Sequence, residues 1–111
     1  MNLRGRLRRK APFATAVVVG DSMAPAYRAG DWILIRRTRR VRPDQVVAAR
    51  DPRDPERIVI KRLVRRTAEG WWLLGDNPAH STDSRTFGAV PTESVLGTVL
   101  FRYHRSADHD R

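Results

Sequence analysis

The sequence contains no cysteine among its 111 residues. This absence excludes disulfide bonds, a thiol nucleophile and a cysteine-ligated zinc site within the chain. The three histidines, His80, His104 and His109, are too scattered to predict a metal site. The sequence therefore predicts neither a metal nor another cofactor, and the lack of cysteine is typical of a cytoplasmic protein.

Long apolar runs are also missing. The longest, FATAVVVG at 13–20, is much shorter than the roughly 20 residues that a membrane-spanning helix needs. Residues 1–11 carry five basic side chains and little to bury, so we interpret them as a basic, flexible arm and not as a targeting segment. These features predict a cytoplasmic protein, or one peripheral at the inner face of the membrane through weak contact between the arm and anionic lipid.

Acidic residues are few, with 12 against 22 lysines and arginines, which gives a net charge of +10. Such a balance favours anionic partners: nucleic acid, an acidic membrane surface or an acidic protein. One alternative is therefore a basic nucleic-acid-binding β-domain without catalysis, in which the arm and RRTRRVR at 36–42 contact phosphates. The tryptophans argue against it, because they lie among aliphatic residues in DWIL and GWWLL and not where they would stack on bases.

The apolar pattern predicts a mainly β fold. No stretch has a sustained 3.6-residue repeat, and short apolar segments are bounded by turn residues. The length allows one small domain, which we place at 12–103, with 104–111 as a disordered tail. DPRDPER at 51–57 predicts a turn, because its two prolines disfavour regular structure. The predicted strands are 15–19, 31–36, 45–50, 57–65, 70–74 and 95–103.

A serine follows the first predicted strand, in VVVGDSMAPAYRAGDW at 17–32. One interpretation is local: Asp21 and Ser22 form a turn by bonding their own backbone. The other is that Ser22 is a nucleophile held at the end of a strand. Serine is a poor nucleophile unless an adjacent base removes its proton, so the second interpretation requires a base.

Lys61 interrupts the apolar strand RIVIKRLVRR. Alternation places it on one face with Val59 and Leu63, where burial would lower its pKa and allow it to act as a general base. The alternative is an edge-strand lysine whose ammonium reaches water. The histidines lie at residue 80 and beyond, so a Ser–His–Asp set is hard to assemble, whereas a Ser–Lys dyad needs no histidine.

Three segments carry a family resemblance: GDSMAPAYRAGDWILIRR at 20–37, IVIKRLV at 58–64, and GDNPAHSTDSRTFGAV at 75–90 with VLGTVLFRY at 95–103. Their content and order resemble the type I signal peptidase family of Ser–Lys proteases. The resemblance implies a small catalytic β-domain, a partly open barrel of short antiparallel strands. Only 13 residues separate Lys61 from Gly75, so the extra domain that some members insert there is absent.

The resemblance also implies roles for individual residues. Ser22 would be the nucleophile and Lys61 the general base. Ser81 would hydrogen-bond the lysine amine, while Asp83 and Arg85 would brace the site through a salt bridge.

The same resemblance extends to the surroundings of the nucleophile. The Ser22 N–H would be one oxyanion donor, and the second position, a serine in some members, is Gly20 here. Met23 and Pro25 would fix the turn and line the substrate cleft, although Met23 could equally be core filling. Asp76 and Asn77 would shape the loop that carries Ser81.

Within this family, the small size and the WWLLGDNP segment most resemble the nickel-type superoxide dismutase maturation proteases. The resemblance implies a serine endopeptidase that removes an N-terminal propeptide from a precursor of nickel superoxide dismutase. General signal-peptidase-like processing is the alternative substrate class. The nickel would belong to the substrate and not to this chain.

A further alternative is a self-cleaving relative with the same dyad, of the SOS-repressor type. Such proteins need a cleavage site upstream of the serine and usually a DNA-binding domain. Only 21 residues precede Ser22, and Ala29–Gly30 lies on the wrong side of it. The oligomeric state is not predicted by any of these patterns.

Overall fold

A computed structural model describes the backbone of residues 2–6 and the whole of residues 11–105. Short antiparallel strands dominate it, which confirms the predicted mainly β fold. Its helical elements are one short α-helix, α1 (Ser84–Phe87), and two 3₁₀ turns at 78–80 and 92–94. The strands are β1 (Asn2–Arg6), β2 (Phe13–Val19), β3 (Trp32–Arg37), β4 (Val46–Asp51), β5 (Asp54–Thr67), β6 (Gly70–Leu74) and β7 (Val95–His104).

All the strands belong to one sheet, in the order β1-β2-β3-β7-β4-β5-β6. The sheet curls until β1 also meets β5, at the single pair Asn2↔Val59. This curvature gives the expected partly open barrel, which is closed at that pair within the described residues. The β5–β6 hairpin accounts for the short distance between Lys61 and Gly75 along the chain.

Two segments differ from the sequence-based expectation. The backbone of residues 2–6, part of the predicted arm, pairs with β2, whose edge would otherwise leave N–H and C=O groups unpaired. In addition, β5 begins at Asp54 inside the predicted 51–57 turn, because Asp51 and Asp54 pair across a two-residue connection. Pro55 is tolerated there because it lies at the start of the strand. Residues 7–10 of the arm and 106–111 of the tail lie outside the described residues.

The core consists of two buried clusters that share β4 and β5. Val46, Ala48 and Ile60 belong to the first cluster, and Val47 and Leu63 belong to the second. Because side chains alternate along a strand, both faces of β4 and β5 are covered. The centre of β5 is therefore dry, and Lys61 lies there.

No helix within the described part of the chain is long and apolar enough to cross a bilayer.

Candidate active site

Ser22 lies in a tight turn directly after β2. Gly20 leaves the strand with a φ of 86°, a conformation that glycine adopts without steric cost. The turn is held by the backbone: Ala24 N–H donates to Asp21 O at 3.1 Å and Tyr27 N–H donates to Met23 O at 3.0 Å. The Ser22 side chain is not used for the turn, and the residue is only 1% exposed. The interpretation in which the Ser22 side chain forms the turn by bonding its own backbone is therefore not supported.

Lys61 faces Val47 across the β4–β5 ladder and is 0% exposed. The edge-strand alternative does not hold, because β5 is flanked by β4 on one side and β6 on the other. Lys61 Nζ donates to Ser22 Oγ at 2.7 Å, joining residues 39 positions apart in the sequence. Desolvation lowers the pKa of Lys61 from its ordinary value, although the Asp83 carboxylate opposes this shift.

Asp83 is a buried carboxylate at the centre of a hydrogen-bond network. It caps α1 and receives two bonds from the Arg85 guanidinium, from Nε at 3.0 Å and from Nη2 at 2.8 Å. Gly75 N–H and Ser81 Oγ also donate to its Oδ2, each at 2.9 Å. Burial raises the pKa of Asp83, but bonds from Arg85, Gly75 and Ser81 outweigh burial and hold it well below its ordinary value.

Ser81 differs from the prediction. Within the described residues its hydroxyl makes no hydrogen bond to the Lys61 amine and instead donates to Asp83. An ionised carboxylate is a stronger acceptor than a neutral amine, which accounts for this choice. Ser81 still lies beside Ser22, because both its side chain and Ser22 O are packed against Gly75.

The segment after β6 is hydrogen-bonded to the turn that contains Ser22. Asn77 N–H donates to Ser22 O at 2.8 Å, and Asn77 Nδ2 donates to Asp21 O at 3.1 Å. Asp76 N–H points to Met23 Sδ at 3.4 Å. The GDN motif indicated that Asp76 and Asn77 shape a loop. The sequence did not reveal that this loop is hydrogen-bonded to the turn that contains Ser22.

Arg62 forms a second link between the strand of the lysine and this segment. Its Nη2 and Nε atoms donate to the Asp76 carboxylate at 2.7 and 3.1 Å. Arg62 also donates to Asp44 O at 2.8 Å. The Lys61–Arg62 pair in the sequence indicated that a second basic side chain lies next to the lysine. It did not identify Asp76 as the partner of Arg62, because a basic strand residue has many possible acidic partners.

The other predicted site residues are placed as follows. Met23 is fully buried in the first core cluster, so it packs the base of the turn and does not line an open cleft. Pro25 is exposed in the turn, after a cis peptide bond with Ala24. Gly20 is exposed at the end of β2. Among the described residues, no acceptor is bonded to the Ser22 N–H.

Gly75 should tolerate no larger side chain. A Cβ at this position would meet Ser81 Oγ, lie 2.6 Å from Ser81 Cβ and lie 2.9 Å from Ser22 O. Gly75→Ala is expected to shift Ser22 and reduce cleavage of a protein substrate about 100-fold, the order of effect of a 1 Å misplacement. Partial rescue by a second change, Ser81→Gly, would assign the loss to this clash. A Gly75→Ala enzyme of full activity would contradict it.

Asn77→Ala removes one of the two bonds from Asn77 to the serine turn and keeps the other. We expect about a tenfold fall in kcat with little change in KM, because the loss of about one hydrogen bond loosens the nucleophile and not the substrate. Asn77→Asp is the matched variant, since it keeps the shape but turns the amide donor into an acceptor. It should be at least as impaired as Asn77→Ala; wild-type rates in Asn77→Asp would refute this role.

Proteases of the mitochondrial inner membrane are similar in sequence to this chain. A protease of the mitochondrial inner membrane, the ATP-independent subunit 1a of Arabidopsis thaliana, is 33% identical over 116 residues, covering 80% of this chain and 69% of that protein. Subunit 1 of the mitochondrial inner membrane protease of Schizosaccharomyces pombe is 28% identical, covering 81% of this chain and 73% of that protein. The human subunit 1 is 25% identical, covering 75% of this chain and 64% of that protein. The chain therefore spans about two thirds of the length of these relatives.

These relatives correct one prediction and make another less specific. The predicted cytoplasmic location is wrong, because the matched relatives are named as proteases of the mitochondrial inner membrane. The names support a protease and not the more specific assignment to superoxide dismutase maturation. The sequence pattern of the Peptidase S24-like family matches residues 3–99, which is most of the chain. On that match, the chain belongs to the Peptidase S24-like family.

Proposed function

We propose that this protein is a serine endopeptidase with Ser22 as nucleophile and Lys61 as general base. The observation that supports the proposal most directly is the 2.7 Å contact between Ser22 Oγ and a fully buried Lys61 Nζ. A serine hydroxyl gains nucleophilicity only if a base accepts its proton, and a desolvated amine is neutral at a lower pH than an exposed one. The family membership supports a peptidase activity independently of this geometry.

The reaction is then an acyl transfer. Neutral Lys61 takes the Ser22 proton while Oγ bonds to the scissile carbonyl carbon, and the Ser22 N–H stabilises the oxyanion. The resulting ammonium returns the proton to the leaving amine as the peptide bond breaks. Lys61 next deprotonates a water molecule, which attacks the acyl-enzyme, and Ser22 recovers its proton on release of the acid.

Asp83, Ser81 and Arg85 have supporting roles in this proposal. Arg85 and the Gly75 N–H keep Asp83 ionised beneath the site, and Asp83 holds the Ser81 hydroxyl in place. The negative charge of Asp83 acts on Lys61 across space and stabilises the ammonium formed during the reaction. Ser81 is therefore a residue that positions the Gly75 turn and not a hydrogen-bond partner of the Lys61 amine.

The substrate class that we propose is a protein precursor cut near its N terminus. The names of the relatives favour a processing enzyme that acts at a membrane. The nickel superoxide dismutase precursor, favoured by the resemblance of the sequence, is one specific candidate within this class. An extended substrate segment would bind as an added strand, through backbone hydrogen bonds.

Intact mass spectrometry of two substrates tests the proposal. The purified protein is incubated with the nickel superoxide dismutase precursor and, separately, with a membrane-protein precursor that carries a signal-type cleavage site. We expect a single cut in at least one of them and none with Ser22→Ala, which removes the nucleophile and little else. Cleavage of only the second substrate would reject the superoxide dismutase assignment and keep the peptidase. Cleavage that persists in Ser22→Ala would overturn the dyad.

A further inference from the structure

An arginine-lined groove lies beside β3 and β7. It has a volume of about 530 Å³, within the range of ligand-binding clefts. Arg36, at the end of β3, and Arg40 and Arg42, in the connection to β4, contribute its charge. Thr98 and Leu100 on β7 form part of the opposite wall. These arginines belong to the RRTRRVR segment, to which the proposed peptidase mechanism gives no role.

The three groove arginines form no ion pair with a carboxylate among the described residues, a property that they share with several other exposed arginines. Within the described part of the chain, ion pairs are formed by Arg53, Arg62, Arg85 and Arg102, none of which lines the groove. Among the residues that the structure describes, the groove therefore carries a charge of about +3 and no carboxylate lines it.

The backbone around the groove is held in position by side chains. Arg40 N–H donates to Thr38 Oγ1 at 3.0 Å, and Arg42 N–H donates to Gln45 Oε1 at 2.8 Å. The path of the connection is thus fixed while the guanidinium groups remain available. A guanidinium offers a planar set of donors that matches the oxygens of a phosphate group.

Exposed apolar side chains continue from the groove over the outer face of the sheet. Phe13 pairs with Arg36 across β2 and β3, and Phe101 pairs with Leu34 across β3 and β7, so the rings share the face of Arg36. Phe13 is 49% exposed and Phe101 is 50% exposed, and Leu100 is exposed at the groove itself. Basic side chains beside exposed aromatic and aliphatic ones are typical of proteins that lie on an anionic bilayer.

We propose that this groove binds phosphate groups of anionic phospholipids and docks the catalytic domain on a membrane surface, with Phe13, Leu100 and Phe101 at headgroup level. Single-stranded nucleic acid is the competing ligand, because Phe13 and Phe101 beside Arg36 offer rings on which bases can stack. Lipid is favoured because the relatives are named as proteases of the inner membrane and because the exposed aliphatic Leu100 at the groove suits a bilayer and not a base. The proposal rests on the proposed action at a membrane but not on the Ser22–Lys61 dyad.

Vesicle flotation tests this proposal without any cleavage step. Vesicles of equal parts phosphatidylglycerol and phosphatidylcholine should bind the full chain, and pure phosphatidylcholine vesicles should not. The triple variant Arg36→Gln, Arg40→Gln, Arg42→Gln is expected to bind about 100-fold more weakly, at about fivefold per arginine near the surface. The matched control is Arg50→Gln, Arg65→Gln, Arg66→Gln, which loses the same charge from β4 and β5 and should lose less than fivefold.

A second variant tests the apolar part of the face. Phe13→Ser with Phe101→Ser keeps every charge and should also weaken binding to the mixed vesicles. Equal losses of vesicle binding in the groove variant and in the control variant would overturn the groove as the docking site and indicate general charge attraction. Tighter binding of a single-stranded oligonucleotide than of the mixed vesicles would overturn it in favour of a nucleic-acid surface. Cleavage of a soluble precursor, assayed in parallel, should be unchanged in the groove variant, so a failure of docking is distinguishable from a failure of the peptidase proposal.

Discussion

Replacing Lys61 with methionine is expected to reduce precursor cleavage by about 10⁴-fold while the protein remains folded. Methionine is similar in length and suits an apolar site, so the core around β5 stays filled. Lys61→Arg is the informative companion, because it keeps the positive charge and cannot act as a base at accessible pH. Rates from quenched reactions of both variants should fall together; an active Lys61→Arg enzyme would contradict a general-base role.

The pH dependence of the wild type follows from the lowered pKa of Lys61. Activity requires the neutral amine, so kcat/KM should rise with pH and level off below the pH at which an exposed lysine titrates. The chain has only two lysines, Lys10 and Lys61, so selective ¹³C labelling of lysine gives two side-chain signals to titrate. The Lys10→Arg variant assigns them. A Lys61 signal that titrates at the ordinary value of an exposed lysine would contradict the desolvation argument.

The same shift makes stability depend on pH. The folded state holds fewer protons on Lys61 than the unfolded state does when the pH lies between the lowered pKa and the ordinary value. Unfolding then takes up a proton, so the free energy of unfolding rises with pH across that interval. Lys61→Met should lack this contribution. Urea titrations of both proteins between about pH 7 and pH 9 would measure the difference in slope.

Replacing Asp83 with alanine is expected to lower the free energy of unfolding by about 3 kcal/mol. The change leaves the buried Gly75 N–H without an acceptor, releases the Ser81 hydroxyl and frees Arg85 from its ion pair. Asp83→Asn keeps the size but not the charge and should lose a large part of the same stability. Asp54→Ala, which removes an exposed carboxylate, is the control and should change stability by less than about 0.5 kcal/mol.

Acid should remove the contribution of Asp83. Its pKa is lowered in the folded state, so its stabilisation is fully present above the pKa of an unfolded aspartate and is lost as the pH falls through the folded value. Asp83→Asn has no such group, so its free energy of unfolding should fall less steeply below about pH 4 than that of the wild type. Parallel slopes in denaturant titrations of the two proteins would show that Asp83 is not the titrating group.

The sequence was sufficient for the local elements because strand formation depends mainly on nearby residues. Short apolar segments bounded by turn residues, such as WILIRR and GWWLL, indicated β3 and β6, since a strand packed in a core needs apolar residues wherever it lies in the fold. The start of β5 could not be predicted, because two prolines in 51–57 outweighed a pairing that exists only once β4 lies alongside. The pairing of β1 with β2 likewise depends on an edge that forms in the folded sheet.

For the candidate site, the sequence by itself determined which groups are available for the proposed chemistry: a serine after a strand, a lysine in an apolar strand and no cysteine for a thiol mechanism. The tertiary structure decided the partners. It brought Lys61 to Ser22 across 39 residues and paired the Ser81 hydroxyl with the Asp83 carboxylate. It also buried Met23 and placed Asn77 against the turn that contains Ser22. The physical reason is that burial and hydrogen-bond partners are set by the packing of the whole barrel, whereas the sequence records only which groups are available to be packed.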